Sequence, residues 1–399
     1  MATRSEEQRL ERRIAELYGN DSQFAAARPD QAMSAAIDRP GLRLPQIIHT
    51  VMTGYADRPA LGDRAVELLS DPATGRTSAE LMPRFATVSY GELWDRVSAT
   101  ARALAAGPSP GVQPGDRVGI IGFTSVDYTV IDLALVLLDA LVVPMHTGTP
   151  LTALRPIVTE TDPVAIATSV EDADDAVELM LTGHAGTRLV MFDYRPEVDD
   201  HRDALHAVRA RFAAEGRAVV VETLDDLIRQ GNAVPARPDQ LAFPAADTDP
   251  LRLLLYTSGS TGSPKGAMYP ERLVANAWRS SATAAWAQRG EHPSITLNFM
   301  PMSHMMGRSS LYGTLRAGGT AYFAARSDLS TLLDDLALVR PTQLNFVPRV
   351  WDMLLGEFQS EVGRRWSDGV DLRALEAEVM AQQRQHLLGG RFLSARTGS

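Results

Sequence analysis

Residues 117–145 limit the possible fold more than any other stretch of the chain. "RVGIIG" (117–122) is an uninterrupted apolar run of strand length, "SVDYTVIDLALVLLDA" (125–140) carries apolar residues at helical spacing, and "LVVPM" (141–145) is a second short apolar run. Two buried strands joined by a helix make a βαβ unit, whose crossover implies parallel pairing. Further runs at 163–169, 188–193 and 217–223 alternate with helical, acidic segments such as "EDADDAVELML" (171–181). The expected class is α/β, with mostly parallel sheets flanked by helices.

Three prolines and no clear periodicity over 231–250 read as a linker, beyond which the pattern restarts. Strands are expected at 251–256, 294–300, 320–324, 342–347 and 391–395, and helices at 270–288, 329–339, 349–358 and 372–388. A chain of 399 residues suits roughly two or three units at about 150 residues each. The expected division is a helical extension over 1–45, a first α/β subdomain over 46–245 and a second over 246–399.

The N-terminus has one apolar helical stripe, Leu10, Ile14 and Leu17, with Ser5 and Gln8 spaced as a capping box, and no apolar core of the secretory kind. Val130–Met145, the longest apolar stretch, is interrupted by Asp132 and Asp139 and falls short of the roughly 20 residues of a membrane span. A formal charge of -10 argues against a nucleic-acid partner, which needs clustered Lys and Arg. With no cysteine, disulfides, thiolate catalysis and Cys-based zinc sites are excluded. A soluble, cytoplasmic protein with neither a membrane nor a nucleic-acid partner is expected.

Chemistry concentrates in "LLLYTSGSTGSPKGAMYPE" (253–271). A strand ending near Tyr256, a hydroxyl-rich glycine loop and a helix starting near Pro270 would form an anion site: small residues bring backbone N–H groups close to phosphate oxygens, and hydroxyls add donors. Lys265 supplies a mobile cation suited to a departing phosphate. The spacing is not that of a Walker A loop, since Pro264 stands five positions after Gly259. Clusters of Gly, Ser and Thr are otherwise ordinary surface turns. Likewise, His304 taken alone is more often a packed, hydrogen-bonded side chain than a catalyst, and Met300, Met302, Met305 and Met306 read as plain core or as an adaptable apolar pocket wall.

The string Y-T-S-G-S-T-G-S-P-K-G resembles the phosphate loop of the adenylate-forming superfamily, which includes acyl-CoA ligases, peptide-synthetase adenylation domains and luciferases. "VSYGELWDRV" (88–97), "PGDRVGIIG" (114–122), "DALVVPM" (139–145) and "NFMPMSHMMGRSS" (298–310) are similar to other motifs of that superfamily. "PMSHMMGRSSLYGTLRAGGTAYF", "RPTQLNFVPRVWDML" and the insertion "DPATGRTSAELMPRFATVSYGELW" look most like the adenylation domain of bacterial carboxylic acid reductases.

The resemblance implies ATP-dependent conversion of a carboxylic acid to an acyl-adenylate with release of pyrophosphate. It implies that Thr257, Ser258, Gly259, Ser260, Thr261, Gly262, Lys265 and Gly266 hold ATP phosphates, with Thr261 or Ser260 nearest Mg2+. His304 would meet the substrate carboxylate beside Met305, and Gly398 and Ser399 would line the other side. The expected partners are a small carboxylic acid and the carrier and reductase domains of a longer protein. Phosphopantetheine and NADPH would act there and not on this chain. The family's Tyr-Gly-x-Thr-Glu motif, ribose-binding Asp, hinge and C-terminal lysine do not occur before Ser399, and Arg396 stands where a small residue is usual. An acyl-CoA ligase, a peptide-synthetase adenylation domain and an inactive nucleotide-binding fragment share the motifs present.

Other clusters read as solvated helix faces. "DDHRDALH" (199–206) spaces its histidines five apart, on different sides of a helix, and Asp172–Asp175 and Asp334–Asp335 are exposed acidic pairs by pattern.

Overall fold

The computed structural model describes residues 4–107, 111–183, 186–235, 249–257, 264–279 and 292–397. Four helices lead in: α1 (Arg4–Asn20), α2 (Ser22–Ala26), α3 (Gln31–Ile37) and α4 (Leu44–Gly54). A hairpin of β1 (Pro59–Ser70) and β2 (Thr77–Ser89) follows, then α5 (Tyr90–Ala106). The alternating stretch comprises β3 (Arg117–Ile121), α6 (Val126–Leu137), β4 (Leu141–Met145), α7 (Leu151–Thr161), β5 (Ala165–Ser169), α8 (Ala173–Gly183), β6 (Arg188–Phe192), α9 (Asp199–Ala214), β7 (Val220–Thr223) and α10 (Leu224–Ala233). Then come β8 (Leu251–Thr257), β9 (Lys265–Pro270), α11 (Glu271–Arg279), β10 (Ile295–Asn298), α12 (Met305–Arg316), β11 (Thr320–Phe323), α13 (Leu332–Val339), β12 (Gln343–Phe346), α14 (Pro348–Arg365), α15 (Leu372–Gln382), a short π-helical turn (Gln383–Leu387) and β13 (Ser394–Thr397).

The class is the expected one. Seven strands form one sheet in the order β7-β6-β5-β3-β4-β8-β9, parallel throughout except for the antiparallel β8–β9 pair. Alternate residues of its strands serve different cores. Val118, Ile120, Val142, Ala167, Val190 and Leu253 pack with α5, α6 and α11, whereas Ile121, Val143, Ile166, Leu189 and Met191 pack with α7, α8 and α9. Both faces are therefore dry, which is why these strands read as continuous apolar runs.

Strand pairing crosses the division expected at residue 245. β8 and β9 complete the sheet of the preceding segment, with Val142 opposite Leu253. Conversely, β1 and β2 belong to a four-stranded sheet in the order β10-β11-β1-β2, where Leu61 and Gly62 lie beside Ala321 and Tyr322. The apolar run of β8 finds a buried parallel neighbour only in β4, and β1 supplies an edge to β11, so the two α/β units exchange strands rather than splitting the chain linearly. The insertion at 71–94 has regular structure of its own. It supplies the turn and second strand of the β1–β2 hairpin, whose turn is fixed by Asp71 accepting from the Ala73 amide at 2.8 Å and the Thr74 hydroxyl at 2.7 Å. Among the described residues, no helix is long and apolar enough to cross a membrane.

Candidate functional site

The glycine-rich loop joins two strands, not a strand and a helix. Thr257 ends β8 directly opposite Lys265, the first residue of β9, and Tyr256 lies opposite Gly266. The helix starts where expected, at Glu271, but only after β9 has carried the chain the length of the hairpin away. The expected contribution of a helix N-terminus is therefore overturned. "KGAMYP" makes β9 because β8 would otherwise leave its outer hydrogen-bonding groups unpaired. Ser258, Gly259, Ser260, Thr261 and Gly262 lie outside the described residues, as do Gly398 and Ser399 beyond β13.

At the mouth of the hairpin, Thr257 and Lys265 are both exposed. Lys265 is the only lysine in the 399 residues. Gly266 suits a close approach: a Cβ there would lie 3.1 Å from Tyr256 Cζ and 3.3 Å from its hydroxyl, tight enough that the Tyr256 ring would have to shift. Burial, the hydrogen bond to Glu160 and the charge of Glu160 push the Tyr256 phenol up to about 12, so it stays neutral and braces the hairpin against α7.

The opposite end of the hairpin is held by a buried ionic network absent from the motif reading. Glu271 accepts from Arg43 Nε at 2.5 Å and Nη2 at 2.8 Å, from the Leu44 amide at 3.0 Å and from Arg252 Nε at 2.9 Å. Arg252 also pairs with Asp139. Burial alone would push the Glu271 carboxyl up, but the hydrogen bonds from Arg43, Arg252 and Leu44 outweigh it and hold it at about 2. Arg252 at the start of β8 and Glu271 just past β9 thereby tie both hairpin strands to the N-terminus of α4.

His304 precedes α12 in extended backbone (φ -124°, ψ 141°), and its side chain makes no capping bond to that helix. Its segment is fixed from behind. Arg308 donates Nε to the Met302 carbonyl at 2.7 Å and Nη1 to Asp132 at 2.9 Å and to the Tyr312 hydroxyl at 2.8 Å, in a cluster only 1–2% exposed at the Asp132 and Arg308 side chains. Burial opposes the Arg308 charge, but Asp132 more than restores it. Gly307 permits the helix to sit on this segment, since a Cβ there would lie 2.5 Å from the carbonyl oxygens of Met300 and Pro301. Met300 and Met302 are core residues, while Met305 is half-buried and Met306 is 50% exposed. Only the latter two are left to wall a pocket.

Register relates these parts. With Val142 opposite Leu253 in parallel strands, the chain leaves β4 at His146 and β8 at Thr257 on the same edge of the sheet. The His146 and His304 rings lie 6.3 Å apart at 77°. Thr257, Lys265 and His304 thus share one edge, with His146 as an unanticipated member. Thr257, Lys265 and Gly266 fit a phosphate chain in their donors and close backbone approach. No cluster of His, Asp or Glu among the described residues could hold a metal ion, and His201 instead accepts from the Arg195 amide at 3.0 Å. Arg396 is half-buried opposite Asn345 on the β12–β13 pair.

The fold and loop define an adenylate-forming class, and the chain belongs to the AMP-binding enzyme family, whose profile matches residues 57–397. It is 58% identical over 393 residues to a carboxylic acid reductase of Mycobacterium tuberculosis, covering 98% of this chain and 33% of that protein. The adenylation domain of a carboxylate reductase from Mycobacterium chelonae superposes with a TM-score of 0.93 at 44% identity, covering 100% of this chain and 60% of that one. The A domain of the Segniliparus rugosus carboxylic acid reductase, solved with AMP and a co-purified carboxylic acid, gives 0.92 at 45% identity, covering 98% and 61%. The chain spans about a third of the length of the curated relatives it matches.

Proposed function

We propose that this chain contributes the ATP- and acid-binding core of a carboxylate-adenylating enzyme, the first stage of reducing a carboxylic acid to its aldehyde. The observation that carries the reading is one sheet edge that carries Thr257 and Lys265 at the end of their hairpin and His146 beside His304, in a fold superposing at 0.92 on a domain solved with AMP and a carboxylic acid. One carboxylate oxygen attacks the α-phosphorus, the bond from that phosphorus to the bridging oxygen breaks, and pyrophosphate leaves with the electron pair, giving the acyl-adenylate. Two anions must approach, so the chain's task is positioning and charge compensation.

Lys265 offsets charge on the departing phosphates, while Thr257 and the following Ser258–Gly262 hydroxyls and amides hold them, with Thr261 nearest Mg2+. His304 orients the carboxylate with Met305 beside the acyl group, and Gly398 and Ser399 line the other side. Transfer to a phosphopantetheine arm and reduction by NADPH belong to carrier and reductase domains beyond this chain, and its site of action is the cytoplasm.

Carboxylate-dependent exchange of radiolabelled pyrophosphate into ATP, measured on this chain with aromatic and fatty acids, tests the reading. Exchange above a no-acid control is expected, with a loss of about 10²–10³-fold in Lys265→Ala. Because Lys265 is the sole lysine, modification by an amine-directed reagent reports on one side chain besides the N-terminus. ATP that fails to slow this modification would overturn the phosphate-site reading.

A further inference from the structure

We propose that His146 is the second half of an imidazole pair with His304 and acts as a positioning residue for carboxylate activation; the role in activation rests on the reading above. The two rings come from different parts of the fold, His146 from the end of β4 and His304 from the entry to α12, yet their centroids lie 6.3 Å apart at a steep 77°. Both residues are exposed. The segment beside each is held by side-chain hydrogen bonds.

On the His146 side, Thr147 donates its hydroxyl to Asp172 at 2.7 Å, and Ser169 donates to the same carboxylate at 2.8 Å. This fixes the residue after His146 to the end of β5. Nearby, Ser327 of the segment after β11 donates to Glu171 at 2.6 Å, bridging the loops beyond the two sheets. On the His304 side, Arg308 pins the Met302 carbonyl. Neither anchoring network uses an imidazole nitrogen.

The groups facing His146 are the His304 ring and Asp172. Burial and His304 hold the His146 imidazole below its ordinary range, and the opposing pull of Asp172 does not restore it. Asp172 is itself engaged by Thr147 and Ser169, which spreads its charge. His146 is therefore neutral near neutral pH. A neutral, N–H-bearing ring at this distance can orient a carboxylate beside His304 without placing two cations together.

The pair is tested by NMR titration of the imidazoles in the 399-residue chain, comparing wild type, His146→Gln and His304→Gln. Two unit charges about 6 Å apart in a water-like dielectric shift one another by about 0.5 pH unit. His304→Gln should raise the His146 midpoint by about that amount. A midpoint that does not move overturns the pair, and His146→Asn serves as a second variant should His146→Gln perturb the fold. The pH profile of pyrophosphate exchange provides the functional readout. Exchange whose profile overlays in wild type and His146→Gln overturns the positioning role, whereas a profile displaced in step with the His304 midpoint supports it. Coupled rings in a chain with no exchange at all would instead fail the adenylation reading and leave the pair standing.

Discussion

Two charged clusters tie distant elements of this molecule together, and they differ in balance. Around Glu271, the guanidinium groups of Arg43 and Arg252 face the carboxylates of Glu271 and Asp139. Around Asp63 on β1, the carboxylates of Asp127 and Asp193 lie close, and among the described residues only Arg96 makes a direct pair, with Asp127 at 2.6 Å. Loss of water pushes a carboxyl up in both places. At Glu271 the guanidinium bonds overcome it, and the carboxyl settles at about 2. At Asp63 the charge of Asp127 adds to it, and the carboxyl rises to about 7 despite the Val126 amide and the more distant Arg195 and Arg96. Asp193 is raised by the same causes. The balance between desolvation and the counter-charges that answer it sets the sign.

The largest effect expected from breaking this contrast is at Glu271. Glu271→Gln leaves Arg43 and Arg252 buried with only Asp139 between them, and should lower stability by about 3–5 kcal/mol in thermal or urea unfolding. Its carboxyl is depressed from 4.5 to about 2. The stability it provides is therefore present in full above pH 4.5 and is lost as pH falls towards 2, so wild type and variant should converge in that window. A gap between them that stays constant down to pH 2 would show that the charge is not what Glu271 contributes.

Neither cluster is legible in the sequence, and the reason is separation: Arg43 and Glu271 stand 228 residues apart. What periodicity could show is the seven-stranded sheet, since strands dry on both faces give unbroken apolar runs. The β1–β2 hairpin gave no such signal, because Arg64, Glu67, Glu80 and Arg84 interrupt it and much of β2 is half-buried or exposed. β9 was hidden for a similar reason, as six residues with Gly266 and Pro270 in them carry too little pattern to mark a strand. For the site, the motifs named Lys265, Thr257 and His304 as candidates, but not the side chains that support their segments. Asp132 within an apolar helix and Arg252 within an apolar strand were the only outward hints, each a charge placed where burial demands a partner.

The acid-rich cluster predicts a gain where the balanced one predicts a loss. Asp63 rises from 3.8 to about 7, so its contribution to stability is full below pH 3.8 and is lost as pH rises through about 7. Asp63→Asn removes that penalty and keeps the side-chain oxygen that accepts from the Val126 amide. The variant should be more stable than wild type by about 1–3 kcal/mol at pH 8 and no better near pH 4. Equal stability at pH 8 would mean that Arg96 and Arg195 already neutralise the cluster.

The smallest effect is expected at an exposed ion pair. Arg76, in the β1–β2 turn, reaches Asp200 at 2.6 Å and Asp203 at 2.7 Å on α9, distances as short as those around Glu271, but its side chain is 48% exposed and its partners 83% and 62%. If distance decided the matter, Arg76→Ala would rival Glu271→Gln. Water instead replaces most of what either ion loses, and long side chains sacrifice rotamer freedom to meet, so a change in melting temperature within about 1 °C is expected. A fall comparable to that of Glu271→Gln would make contact geometry the governing variable and remove the basis for distinguishing the two buried clusters by their charge balance. A null result, obtained beside a large loss at Glu271, leaves desolvation as the common cause of both.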